Sequence, residues 1–398
     1  MGPSESVTTT HTTDQVGEPR QQAPRLMSLD AFRGMVIATM FLVNVAGSDP
    51  AFPEWFEHRG WNNGRHGQGL ADFVFPWFLF IVGAAVPFSM NFGRGANKSA
   101  MRKVANALRR GVTIYLLGTL LWCATIAFDP KTPITLRVFL HWDILPLIGF
   151  AYFVGVLVWL LPLWLRVGFV AAVLVAKWLV ISMIAHPEAG LVDWLRHLTY
   201  QDWLRSRFGW GGTLLTQGMP SAATAVLGSL TSAVLISGWK TPAARSGAIL
   251  LGGTLFVILS VVWHAAWNSH PLVGMPYSKD YFTSSYVLLA AGSGAVILGI
   301  FHELCDVRGL TNLTALRVPG LNAIAIYFTA ECIWKMVMVR WFVACPDGSS
   351  AWAITAVKAW LQSVAGSATG SWLTVALYMM AYWFFSYWLY RRKLFIRV

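Results

Sequence analysis

The sequence predicts an all-α protein: a polytopic integral membrane helix bundle of about ten transmembrane helices, with both termini cytoplasmic. Hydrophobic residues make up 56% of the 398-residue chain and charged residues only 12%, against about 25% charged in an ordinary soluble domain. Mean hydropathy is +0.54, and apolar stretches near the ~20 residues needed to cross a hydrocarbon layer recur along most of the length. The basic residues also gather in two places. Arg94, Lys98, Arg102, Lys103, Arg109 and Arg110 lie between two apolar spans, and Arg391, Arg392, Lys393 and Arg397 lie at the C-terminus. Such clusters mark cytoplasmic segments. The net charge of +12 is therefore the signature of membrane orientation, and nucleic acid binding is not expected.

Residues 1–26 are polar and rich in Thr, Gln and Pro, without the apolar run of a leader peptide. They are expected to form a disordered cytoplasmic tail ahead of one transmembrane domain, 27–398. Spans are expected at 31–47, 70–91, 111–128, 138–160, 163–185, 213–238, 246–266, 283–302, 320–343 and 371–390. Internal Pro and Gly are tolerated where neighbouring helices satisfy the freed backbone groups. Alternation from an inner tail puts loops 92–110, 239–245 and 303–319 inside, and loops 48–69, 129–137, 186–212 and 267–282 outside. Within the long outer segments, "VDWLRHLTYQDWLRSRF" and "AWAITAVKAWLQSV" have the Trp, Leu and charge spacing of short interfacial helices. Cys123, Cys305, Cys332 and Cys345 show no paired spacing, and neither a disulfide framework nor a metal site is expected.

An ionisable group at membrane depth costs about 2.5–3.5 kcal/mol on insertion scales, so each asks for a reason. Asp30 and Arg33, at the inner mouth of the first span, share a helix face at i, i+3. They either anchor the helix end or contact an anionic cofactor. Asn44, near the outer end of that helix, either links helices or orients a substrate carbonyl. Asp72 opens the second span, where a carboxylate suits a helix N-terminus and is also placed to orient an imidazole. His58 and His66 lie in the polar, glycine-rich run between them, "WFEHRGWNNGRHGQGLAD". An imidazole titrates near neutrality and serves as general base or nucleophile, although a loop histidine is more often simply solvated. His141 and Asp143 open the fourth span, and Glu331 and Lys335 sit at i, i+4 in the ninth, where mutual neutralisation is the simplest account. Lys177 has no sequence-local partner.

Several of these segments together resemble the heparan-alpha-glucosaminide N-acetyltransferase family of multispan membrane acyltransferases and its bacterial relatives. They are "RLMSLDAFRGMVIATMFLVNVAG", "WFEHRGW" followed by "GLADFVFPWFLFIVG", "GTLLTQGMPSAATAVLG", "PYSKDYFTSSYVLLAAG", "VPGLNAIAIY" and "YWLYRRKLFIRV", in family order from residue 25 to the end. The resemblance implies transfer of an acetyl group from cytoplasmic acetyl-CoA, a co-substrate, to an amino sugar or glycan across the membrane, with no metal. Its His-x-x-Trp-Asn element places the active histidine at His58, with Trp61 and Asn62 following, and its Val-Asn element places a supporting residue at Asn44. The stretch "NGRHGQGLA" is longer than the family pattern, and an alignment fixed on Asp72 brings His66 into the same role. Asp30, Arg33 and Asn62 are carried as donor-contacting residues. The resemblance begins at residue 25, and no counterpart of the family's large luminal N-terminal portion is expected in this sequence.

The expected setting is a multi-pass protein of a bacterial-type inner membrane, with the lipid bilayer, acetyl-CoA and the acceptor as partners and a homodimer as an admissible assembly. Two other functions stay open on the residues alone. One is a multispan solute transporter, and the other is an O-acetyltransferase acting on a glycan hydroxyl.

Overall fold

A computed structural model describes residues 26–47, 49–58, 69–92, 96–126, 142–185, 214–270, 273–279, 281–310, 312–338, 340–344 and 350–395. Its helices, in chain order, are α1 (Met27–Ala46), α2 (Leu70–Ala84), α3 (Val86–Asn91), α4 (Ala100–Ile126), α5 (Ile144–Trp159), α6 (Leu163–Ala185) and α7 (Met219–Ile236). They continue as α8 (Pro242–Ser269), α9 (Ser284–Phe301), α10 (Thr314–Gly320), α11 (Ala323–Ile333), α12 (Ala353–Ala365) and α13 (Ser367–Arg391). Short strands β1 (Phe342–Ala344) and β2 (Ser350–Trp352) pair antiparallel. The protein is a polytopic helical membrane protein.

Helices stand at all ten positions where the sequence predicts spans. Among the described residues, six are long and apolar enough to cross a membrane by length and composition, or seven if a bent pair counts as one. The shortfall has local causes. Helix α5 is only 16 residues long, and α4 carries Arg102, Lys103, Arg109 and Arg110 in its first half. Helix α13 runs 25 residues, but its Trp, Tyr, Ser and Thr residues lower its hydropathy. The ninth span, expected at 320–343, needs correction: it is helical only over α11 and the π-helical turn that extends it to Met338, with Phe342–Ala344 a strand, and α10, largely inside the expected inner loop 303–319, meets it at 78°. Pro319, Gly320 and the non-helical Asn322 (φ −123°) separate the two helices. Asn322 Nδ2 there donates to the Leu394 carbonyl, 2.9 Å away. The tail 1–25 and the proposed interfacial helix in 186–212 lie outside the described residues, whereas most of "AWAITAVKAWLQSV" forms the helix α12.

Burial separates inner from outer helices. Of the apolar windows of α1, α2–α3, α7 and α9, 61–72% is buried inside the protein, against 17% for α6 and 22% for α8. Leu251, Leu255, Ile258, Leu259 and Val262 of α8 are exposed, an arrangement costly in water and natural against lipid. Lipid offers no hydrophobic drive between helices, so close backbone packing must hold the inner set together. A Cβ on Gly83 of α2 would stand 1.7 Å from the Ala225 carbonyl oxygen, and one on Gly228 of α7 2.0 Å from that of Phe80. The same device joins α4 to α5 at Gly111 and Gly149, and α8 to α9 at Gly253 and Gly292.

Polar links complete the frame. The Asp306 carboxylate accepts from the Met27 and Ser28 N–H groups (2.9 and 3.2 Å), capping α1 from a distant part of the chain. Lys177 is buried and donates to the Thr216 carbonyl at 2.9 Å. Just past α1, Asp49 meets Lys358 Nζ of α12 at 2.5 Å, Ser371 Oγ of α13 at 2.6 Å and the Ala51 N–H at 2.9 Å. Burial would push the Asp49 carboxyl up, but the donors, Lys358 and Ser371 first, hold it below the ordinary range. A depressed carboxyl stabilises the fold above about pH 4, and that contribution disappears as pH falls through the lowered value. Asp49→Asn is expected to remove about 1.5–3 kcal/mol near neutrality. In paired thermal melts the gap from the parent protein should close below about pH 4; a gap independent of pH would refute this account.

Candidate active site at the mouth of an apolar cavity

The site is built outward from the first turn of α2. Gly69 is its N-cap, and Asp72, at the third helical position, turns back so that Oδ2 accepts the Gly69 N–H at 3.1 Å. Further along, Pro76 lacks the N–H that would pair with the Asp72 carbonyl. That carbonyl instead receives the buried Tyr286 hydroxyl of α9. Asp72 is thus held at both ends, and its Oδ1 is left facing outward.

His58 lies opposite that oxygen, with Nδ1 2.8 Å from Asp72 Oδ1. The segment preceding it is pinned by aromatic packing, Phe52 and Phe56 standing against Trp372 of α13 with centroids 4.6 and 6.2 Å away. It then passes directly over α2, and a Cβ on Gly69 would meet the Glu57 carbonyl oxygen at 1.6 Å. The bare glycine lets the chain come close enough to set His58 on Asp72. Gly69→Ala is therefore expected to displace the imidazole from Asp72 and to lower any turnover that depends on His58 about 10²-fold, while the helical circular dichroism changes little. Unaltered turnover in that variant would refute the dependence.

A third charge joins them from the loop before α9. Lys279 Nζ is 3.2 Å from His58 Nδ1 and 3.7 Å from Asp72 Oδ1. That loop is held firmly. Tyr277 stacks on His264 with centroids 4.1 Å apart, its hydroxyl meets Ser260 Oγ at 2.8 Å, and the Ser278 N–H donates to Thr283 Oγ1 at 3.1 Å. Burial pushes the Tyr277 hydroxyl up, so it stays protonated near neutrality. A contact of 2.8 Å between an imidazole nitrogen and a carboxylate oxygen requires a proton between them, so Nδ1–H donates to Asp72. The Lys279 ammonium then pairs with the same carboxylate, and Nε2 is the ring nitrogen not engaged by Asp72.

Exposure separates the roles. Asp72 is 2% exposed and His58 59%, so a buried carboxylate orients an accessible ring. Both His58 and Lys279 line a cavity together with Asn44 of α1, Phe75 and Phe78 of α2, Ile148 of α5, and Tyr327 and Glu331 of α11. Its lining on α2 runs from Ala71 to Val82, about 16 Å at 1.5 Å per residue, roughly half of a ~30 Å hydrocarbon layer.

Three sequence candidates, Asn44, His58 and Asp72, thus converge. Asn62 and His66, like His141, lie outside the described residues. Asp30 and Arg33 pair with each other at 3.2 Å at the opposite end of α1 and are not among the cavity's lining residues. Lys279 and Glu331 were not among the sequence candidates for the site. Lys279 lies in the "PYSKDYF" segment that carries part of the family resemblance, and Glu331 was read only as the partner of Lys335. Both reach the cavity through tertiary packing that no local pattern encodes.

Residues 25–203, which include Asn44, His58 and Asp72, match the family model described as "Heparan-alpha-glucosaminide N-acetyltransferase, catalytic". Over that stretch the chain is similar to that family. Heparan-alpha-glucosaminide N-acetyltransferase of Homo sapiens is 24% identical over 386 aligned positions, covering 80% of this chain and 54% of the human protein. The Mus musculus protein of the same name is 22% identical over 451 positions, covering 95% of this chain and 61% of the mouse protein. The alignments thus span a little over half the length of the N-acetyltransferases it matches. Lys279 and Glu331 lie beyond the stretch matched to the N-acetyltransferase family model.

Proposed function

We propose that the protein is a membrane-embedded acyltransferase that moves an acetyl group from cytoplasmic acetyl-CoA to an amino sugar or glycan at the extracytoplasmic face. The observation that carries this reading is the His58–Asp72 pair at the mouth of an apolar cavity, inside the stretch matched to the N-acetyltransferase family. The relatives' name supports acetyl transfer to a glucosaminide. Sidedness is supported by the chain itself, since His58 and the basic start of α4 lie at opposite ends of the α2–α3 span.

The cavity suits one end of acetyl-CoA. Its walls are largely apolar and fit a slender acyl-thioester arm, whereas the polyanionic nucleotide belongs in water on the basic side. Acetyl-CoA supplies an activated thioester, so the protein's share is alignment and proton handling. His58 Nε2 takes a proton from the acceptor nitrogen as the new C–N bond forms and the C–S bond breaks, then passes it to the departing sulfur. Asp72 fixes the tautomer that leaves Nε2 available. Asn44, on the same cavity wall, donates its amide to the carbonyl oxygen, where negative charge grows.

The test is thiol release from acetyl-CoA by the purified full chain in lipid nanodiscs, across amine and hydroxyl acceptors. Release that depends on an amino sugar supports the proposal. Solute uptake into vesicles without thiol release would replace it with transport, and base-labile ester products would make it O-acetylation.

A further inference from the structure

The cavity has a second polar wall. Tyr327 and Glu331 of α11 are four residues apart, on one helix face, and both line it. Glu331 Oε2 lies 3.5 Å from Lys335 Nζ, the pairing their spacing suggested. The same ammonium lies 3.8 Å from Asp143 Oδ2, and Asp143 Oδ1 also caps α5 by accepting the Ile144 N–H at 2.8 Å. One lysine is thus divided between two carboxylates. At the cavity mouth the positive charge of Lys279 is already paired with Asp72. Glu331 carries the acidic side chain among the described residues that line the cavity.

We propose that Glu331 is the specificity-determining residue for the acceptor, receiving the ammonium of an amino sugar and so selecting amines over hydroxyls. This rests on the acetyl-transfer reading and deepens it. A primary amine is largely protonated near neutral pH, and a cation enters an apolar-walled space only against an anionic partner. A hydroxyl has no such need. The same carboxylate prepares the nucleophile, because an ammonium has no lone pair with which to attack. The nitrogen gives one proton to Glu331, which later returns it to water. It gives the second to His58 Nε2 as the amide bond forms, and that proton leaves on the sulfur. One ammonium and one thioester thereby become one amide, one thiol and one proton.

The experiment measures sugar binding by the full chain in nanodiscs without acetyl-CoA, using D-glucosamine and N-acetyl-D-glucosamine as probes. The parent protein should bind glucosamine about tenfold or more tightly than the acetylated sugar, the fold-change of one charge-assisted hydrogen bond. Glu331→Gln should erase that preference, and Lys335→Met, which frees the carboxylate from its neighbour, should keep or enlarge it. If Glu331 mattered only as the structural partner of Lys335, both variants would behave alike, and that result overturns the proposal. So does a parent protein that binds the two sugars equally, or a Glu331→Gln variant that still discriminates. Should Glu331→Gln fail to fold, Glu331→Gln/Lys335→Met takes its place, since both charges of the pair then leave together. Thiol release is scored separately. Turnover without amine preference would sink the role of Glu331 alone, and amine preference without turnover would sink acetyl transfer alone.

Discussion

Replacing His58 with alanine is expected to lower acetyl transfer by about 10²- to 10⁴-fold, the usual contribution of a positioned general base, and to leave acetyl-CoA binding in place. The basis is geometric: Asp72 holds the ring by Nδ1 at 2.8 Å, which leaves Nε2 as the nitrogen for the proposed proton transfer. His66→Ala should stay within about threefold of the parent, the range of most changes away from a functional contact. A collapse in His66→Ala with activity preserved in His58→Ala would move the active imidazole to His66. The same proteins separate two routes. Labelled acetyl retained by the parent without acceptor, and lost in His58→Ala, makes His58 Nε2 a transient acetyl carrier. Single-turnover transfer with no labelled protein makes it a base only.

Asp72→Asn should be nearly as damaging, on the order of 10³-fold or more, because the amide cannot meet both of the carboxylate's obligations. Asp72 accepts from two N–H groups, His58 Nδ1 and the Gly69 amide. If the asparagine oxygen faces Gly69, its NH₂ faces His58 and drives the ring proton to Nε2, which blocks the base. If the oxygen faces His58, the NH₂ confronts the Gly69 N–H and the α2 cap is lost. Either way Lys279 loses its counter-charge. The measurement is kcat for thiol release, with gel-filtration profile and acetyl-CoA binding as checks on folding. A variant with full turnover would show that the carboxylate does not orient the imidazole.

Much of the frame was legible because membrane helices announce themselves through length and apolarity. The second span, expected at 70–91, is Leu70–Asn91 in the structure. Asp72 was readable as a group of two roles from its place at a helix start, and the structure gives one oxygen to each. What stayed hidden depends on partners far along the chain. Lys279 reaches His58 across 221 positions, and Lys335 meets Asp143 from another helix. Helix α10, largely within the expected loop 303–319, and its bend onto α11 were missed because Pro and Gly beside apolar runs are ordinary in lipid, and only packing decides whether they bend a helix. The short hairpin of β1 and β2 was missed too, since three-residue strands leave almost no periodic signal.

The hydrogen bond from Asn322 to Leu394 makes the carboxyl-terminal tail a latch on the segment that carries Tyr327 and Glu331. A purification handle fused at that end, or a shortened tail, would be felt inside the cavity that these residues line despite its distance along the chain. Affinity labels belong upstream of Met27, where the first turn of α1 is already tied down by Asp306.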